Sequence, residues 1–251
     1  MKILLLHGAG MGPQVWEGLD PYWPTEWKIV TPLLPGHQSA PPPTPPNLEG
    51  LTEWVADTIQ NHKPRIVLGW SMGSYALLET IFRKGELGLA GVAIVNGSPP
   101  PTLSSTPHEV IQRRMDAHFL NPLRIAEPFI QLLAKKGWSP QATGGLREGV
   151  LLANEPFLRQ VRWDMFLTPF GARIPTFPLP LLVLHGKRDR INPLSQAEWI
   201  SRNAPHVHLE VLPGAHAPFG HHPQHFVDAL VRGLRCLMPP KVLPHSGSGE
   251  H

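Results

Sequence analysis

An α/β fold built on a mainly parallel sheet is predicted by three features of the sequence. Short runs rich in Val, Ile and Leu recur along the chain, each stopped by Gly or Pro. Segments with apolar residues three and four positions apart lie between several of them. The runs also lack strict apolar/polar alternation, which is how strands covered on both faces read.

The runs span residues 2–6, 28–31, 65–69, 91–95, 181–184 and 208–212, so about six strands are expected. Helical spacing connects Leu51, Trp54, Val55, Thr58 and Ile59, then Ala76, Leu77, Thr80 and Ile81, and finally Phe226, Leu230 and Leu234. Strand–helix alternation implies right-handed crossovers, helices on both faces and ligands at the carboxyl ends of the strands. The rhythm breaks between residues 99 and 178. Helical patterns occur there at 109–120, 124–135, 144–153 and 155–166, without a strand. A helical lid inserted after the Gly91–Val95 strand is therefore expected. The predicted organisation is a core of residues 1–98 and 179–238, a lid of residues 99–178 and a Pro/Gly/Ser-rich flexible tail, 239–251.

Composition narrows the class. Of 251 residues, 41% are hydrophobic and only 16% charged, against about 25% charged in an average domain, which argues against disorder. The 31 prolines cluster in loops, as at Pro41–Pro43 and Pro99–Pro101, so neither a collagen-like chain nor a coiled coil fits. The net charge of +3 is spread over pairs rather than gathered in a basic stripe, so no nucleic-acid partner is expected. Cys236 is the sole cysteine, which precludes an internal disulfide and any Cys-based metal cluster. The apolar stretch Ile3 to Leu6 is too short for a signal peptide core or a spanning helix, so a soluble cytoplasmic protein without a membrane partner is expected.

Chemistry is signalled most strongly at Gly69-Trp70-Ser71-Met72-Gly73, which stands between a predicted strand and a predicted helix. In a G-x-S-x-G turn the glycines give way to crowding, and the central hydroxyl is raised above the sheet at a helix N-terminus. A serine there needs a base and an orienting acid, in the chain order Ser…Asp/Glu…His. Asp189 follows the 181–184 run and His216 follows the 208–212 run, both where a parallel sheet converges its loops. The expected triad is Ser71, His216 and Asp189. Its oxyanion donors are expected to be the backbone N–H of Met72 and, from the loop His7-Gly8-Ala9-Gly10-Met11-Gly12, that of Ala9. This loop lacks the spacing of a phosphate loop. His216, His221, His222 and His225 show no zinc-enzyme pattern, so neither metal nor cofactor is expected.

Together these residues resemble the α/β-hydrolase superfamily from Lys2 to about Leu237. The opening His-Gly-x-Gly, the Pro35-Gly36-His37 turn, the serine turn, the Gly-x-x-Asp loop and the last histidine fall in the superfamily's order. The resemblance implies an α/β-hydrolase fold without the antiparallel hairpin that often opens it. Within the superfamily, Trp70 before the serine and His216-Ala217-Pro218-Phe219 with His222-Pro223 are most similar to the pimeloyl-[acyl-carrier-protein] methyl ester carboxylesterases of biotin synthesis. Two departures are Ala9, where better-known members carry tryptophan, and Ser74, where they carry a second glycine.

The resemblance implies a serine carboxylesterase acting on a small ester or on an ester linked to acyl carrier protein. Trp70, Phe119, Phe129 and Phe166 would line a slot for a thin apolar chain. The segment 99–173 holds nine Lys/Arg against six Asp/Glu. Arg113, Arg114, Arg124, Arg147, Arg159 and Arg162 are therefore candidate contacts for an acidic carrier protein, the alternative being an ordinary solvated helix face. Three other readings share the motif: a general short-chain carboxylesterase, a non-catalytic α/β-hydrolase-like ligand receptor, and a lyase of menaquinone synthesis. The lyase would carry an extra arginine near the serine turn, where Ser74 and Tyr75 stand.

Overall fold

The computed structural model describes residues 1–100 and 107–238. The expected tail, 239–251, lies outside the described residues, as do 101–106 near the start of the expected lid. The strands are β1 (Lys2–Leu6), β2 (Lys28–Val30), β3 (Ile66–Trp70), β4 (Gly91–Val95), β5 (Leu181–Gly186) and β6 (Val207–Leu212). They form one six-stranded sheet in the order β2-β1-β3-β4-β5-β6, and every neighbouring pair is parallel.

The helices are α1 (Leu48–His62), α2 (Met72–Lys84), α3 (His108–Leu120), α4 (Pro122–Lys135), α5 (Pro140–Leu152), α6 (Glu155–Leu167), α7 (Phe170–Arg173), α8 (Leu194–Asn203), α9 (Pro218–His221) and α10 (Pro223–Leu237). A 3₁₀ helix, Pro13–Tyr22, follows β1. The sequence pattern does not mark this 3₁₀ helix, α8 or α9. Each is short or proline-bearing and buries two or three apolar residues, too few to set up a visible period.

Side chains alternate across the inner strands and build a core on each face of the sheet. Ile3, Leu5, Ile66, Leu68, Trp70, Ala93, Val95, Leu182 and Leu184 face one core, shared with the 3₁₀ helix, α4, α5 and α10. Leu4, Leu6, Val67, Val92, Ile94, Leu181 and Val183 face the other, shared with α1, α2, α6 and α8. The inner strands β3, β4 and β5 are buried along their whole length, which explains their unbroken apolar runs. The edge strands β2 and β6 are partly exposed.

Helices α3 to α6 sit between β4 and β5 in the chain, and the segments that lead into α5 and α6 bond to the chain after β1 and β2. The Trp138 indole N–H donates to the Val15 carbonyl at 3.1 Å, and the Asn154 amide donates to the Gly36 carbonyl at 2.8 Å. Asp164 of α6 accepts from the Leu48 amide at 2.9 Å, capping the start of α1 from outside.

Candidate active site

Ser71 stands between β3 and α2 with φ 52° and ψ −118°. This backbone conformation is sparsely populated by residues with a side chain, and such strain persists only where its surroundings enforce it. Here they do so by crowding. A Cβ on Gly69 would lie 2.4 Å from the Gly73 carbonyl oxygen, and one on Gly73 would lie 2.5 Å from the carbonyl oxygen of Leu6. Both contacts are with backbone, so neither can yield cheaply. The buried Ser74 hydroxyl donates to the Gly69 carbonyl at 2.6 Å, and the Ser71 amide donates to the Val95 carbonyl at 2.9 Å. These bonds tie the turn to its own strand and to the next.

The loops after β5 and β6 bring two more groups to this turn. His216 Nε2 lies 2.9 Å from Ser71 Oγ, and His216 Nδ1 lies 2.9 Å from Asp189 Oδ2. The loops touch because Gly186 has no side chain; a Cβ there would meet the Ala215 carbonyl oxygen at 2.1 Å. Asp189 Oδ1 accepts from the Ile191 and Asn192 amides, at 2.8 and 3.2 Å. Burial disfavours the Asp189 charge, but hydrogen bonds from His216, Asn96 and the Ile191 amide, with the imidazole's charge, outweigh it and hold its pKa below the ordinary value. An ionised Asp189 accepts the imidazole proton at Nδ1, which leaves the Nε2 lone pair facing the Ser71 hydroxyl. The arrangement can remove a proton from Ser71 as its oxygen attacks.

The loop after β1 borders the same space. A Cβ on Gly8 would lie 3.0 Å from the Trp70 ring and 3.3 Å from Ser71 Cβ. The Ala9 N–H has no acceptor among the described residues, and Met72, as the first residue of α2, has none within its helix. Two buried histidines brace this loop. His7 Nδ1 pairs with the Gly8 carbonyl at 3.0 Å, while the Leu34 amide donates to His7 Nε2 at 3.0 Å. Burial and the neighbouring His37 hold the His7 pKa well down, and burial lowers that of His37 to about 4, so both rings are neutral struts at ordinary pH.

The sequence matches the alpha/beta hydrolase family over residues 3–230. The chain belongs to that family. This hydrolase is 28% identical over 250 residues to the pimeloyl-[acyl-carrier protein] methyl ester esterase of Aromatoleum aromaticum, covering 92% of its own length and 98% of that relative. It is 27% identical over 238 residues to the esterase of the same name from Edwardsiella ictaluri, covering 91% of each chain. Among solved structures, an esterase from Exiguobacterium antarcticum superposes with a TM-score of 0.77 at 18% identity, over 92% of this chain and 91% of that one, a likeness of fold.

Of the aromatic residues singled out in this hydrolase, Trp70 and Phe129 come together, with ring centroids 5.6 Å apart. The Trp70 indole N–H donates to the His216 carbonyl at 2.8 Å, and its ring lies 5.1 Å from that of Phe219 and 6.3 Å from that of Trp16. Trp16 carries no motif that would mark it in the sequence; the 3₁₀ helix delivers it here. Phe119 packs against the opposite core, with the Arg159 guanidinium 4.8 Å above its ring, and Phe166 is 37% exposed. Neither shares the Trp70 cluster, because α3 and α6 turn these faces towards the α1–α2 side or towards solvent.

The arginines divide similarly. Arg147 is paired with Glu127 at 2.8 Å, and Arg159 with both Asp116 and Glu155. Arg113 reaches the Glu109 carbonyl at 3.4 Å, and the side chain of Arg114 lies outside the described residues. Arg124 is exposed. Arg162 makes no hydrogen bond or ion pair among the described residues, and burial lowers its pKa. Two open surface clefts lie elsewhere: one of about 610 Å³ beside Tyr22, Arg232 and Cys236, and one of about 550 Å³ beside Lys2, Lys63 and Arg65. Neither is lined by Ser71, Asp189 or His216. Among the described residues, no cluster of three His, Cys, Asp or Glu could hold a metal ion, and no helix is long and apolar enough to cross a membrane.

Proposed function

We propose that this hydrolase cleaves carboxylic esters through a Ser71 nucleophile, with His216 as base and Asp189 as its orienting acid. The single observation that carries this reading is the unbroken relay from Ser71 Oγ through His216 to Asp189, at 2.9 Å per link. As Ser71 Oγ bonds to the ester carbonyl carbon, its proton passes to His216 Nε2. The amides of Ala9 and Met72 receive the tetrahedral oxyanion. Collapse breaks the bond to the alkoxy group, which leaves as the alcohol with the proton from His216. Water then attacks the acyl-enzyme, His216 takes its proton, and the carboxylate is released as that proton returns to Ser71.

The physiological ester we propose is the methyl ester of a pimeloyl group carried on acyl carrier protein. Support comes from the two relatives named above and from the aromatic wall of Trp70, Phe129, Trp16 and Phe219, which suits a thin apolar chain. Residues 99–178 act as a lid over the core of 1–98 and 179–238, and present cations to the acidic carrier. Arg147 and Arg159 are already neutralised by carboxylates, which leaves Arg113, Arg124 and Arg162 as the candidates with no ion pair among the described residues.

The test compares methyl-pimeloyl carrier protein with dimethyl pimelate and p-nitrophenyl butyrate, scoring free acid by mass. The carrier-linked ester is expected to show a kcat/KM at least about tenfold above that of dimethyl pimelate, the gain expected from charge steering. Equal or better turnover of the free esters would overturn the carrier assignment while leaving ester cleavage intact. The variant Arg162→Glu should raise KM for the carrier-linked ester about tenfold and leave p-nitrophenyl butyrate within about twofold. A parallel loss on both substrates would remove Arg162 from carrier binding.

A further inference from the structure

We propose that Asn96 is a positioning residue of the ester-cleaving machinery, one that locks the acid loop and the base loop into register with Ser71. This rests on the Ser71–His216–Asp189 reading given above. Asn96 directly follows β4, is fully buried, and adopts a left-handed φ of 46°. Its amide nitrogen Nδ2 donates to Asp189 Oδ2 at 2.5 Å and to the Ala215 carbonyl at 3.4 Å, while Oδ1 accepts from the Gly186 amide at 3.0 Å. One side chain therefore grips the end of β5, the acid after it and the residue before His216. Its own backbone amide donates to the Leu184 carbonyl at 3.1 Å, which anchors the grip to the sheet.

The carboxylate oxygen that Asn96 holds is the one that accepts the imidazole proton, Asp189 Oδ2. With the Ile191 and Asn192 amides on Oδ1, this donor fixes the plane of the carboxylate and hence the direction in which the imidazole points. The position calls for several properties at once. It needs a donor and an acceptor on one short side chain, no charge beside Asp189, and tolerance of a left-handed backbone. Asparagine supplies all of them. Aspartate would set a second negative charge against the first, and serine is too short to span both loops.

Two variants test this with p-nitrophenyl butyrate. Asn96→Gly keeps the left-handed turn, which glycine adopts freely, and deletes the side chain. Asn96→Asp keeps the shape, loses the donor and adds a carboxylate. For Asn96→Gly, kcat should fall by about 10- to 100-fold, on the scale of a misdirected catalytic group, with KM within about twofold. The acidic limb of the kcat/KM profile should also move. An Asp189 stripped of a donor holds the imidazolium more strongly, so the limb shifts to higher pH, and in Asn96→Asp the extra negative charge shifts it further. A folded Asn96→Gly with kcat within about threefold of the parent would overturn the proposal. So would a fall in kcat with the acidic limb unmoved in both variants, which marks a merely structural residue. Ser71→Ala, run alongside, separates the two readings. If it still turns over ester, the triad assignment itself fails; if it is inert while Asn96→Gly is normal, only the inference about Asn96 fails.

Discussion

Ser71→Ala is expected to lower ester turnover by about 10⁶-fold, by analogy with nucleophile removal in a serine protease, while the protein stays folded. The hydroxyl oxygen is the only heavy atom lost, and alanine meets the same backbone constraint at φ 52° that serine already meets. Thermal unfolding should therefore stay within a few degrees of the parent. Ser71→Gly separates chemistry from strain. It should be equally inactive but more stable by about 1 kcal/mol, because glycine relieves the left-handed backbone. For a chain of this size that is an increase in Tm of roughly 2–4 °C. Turnover and Tm on the same three preparations check both claims.

Asp189→Asn should cost about 10⁴ in kcat, as the corresponding change does in a protease triad, and here the surroundings specify why. Four donors converge on the Asp189 carboxylate: His216 Nδ1 and Asn96 on Oδ2, and the Ile191 and Asn192 amides on Oδ1. An asparagine amide has one acceptor oxygen to offer them. If that oxygen stays with the backbone amides, its NH₂ faces the imidazole and forces the proton to Nε2, where it can no longer accept from Ser71. If it turns to His216, two backbone donors lose their partner, at about 1–3 kcal/mol for each buried group. Activity falls in both arrangements, because a neutral amide no longer stabilises the imidazolium, and stability falls as well in the second. Steady-state rates combined with urea unfolding distinguish them, and retention of both would contradict the network.

The sheet was legible in the sequence because its inner strands are covered on both faces, so segments such as Ile66 to Leu68 read as continuous apolar runs. The edges blurred. The 28–31 run ends one residue earlier, at Val30, where the strand has a neighbour on one side only. That Ser71, Asp189 and His216 come together was legible because each follows a strand's carboxyl end within three residues of a glycine, and the topology of a parallel sheet supplies their meeting point. The contacts of Asn96 were not, since Gly186, Asp189 and Ala215 lie 90, 93 and 119 positions away and meet it only once β4 and β5 are side by side. The phenylalanines of α3, α4 and α6 could not be ranked beforehand either. Periodicity shows that a helix has an apolar face, but the neighbouring helices decide whether Phe129 or Phe119 reaches Trp70. Charge counting was similarly blind to pairing, because the Glu127 that neutralises Arg147 lies 20 residues away on another helix.

Covalent capture of the acyl-enzyme tests the account most directly. The protein is mixed with a fluorophosphonate, or with p-nitrophenyl butyrate and quenched in acid, and the adduct is mapped by peptide mass. A single adduct is expected on the peptide containing Ser71, absent in Ser71→Ala and formed far more slowly in His216→Ala. Full ester turnover with Ser71 unmodified, or an adduct on any other side chain, would contradict it.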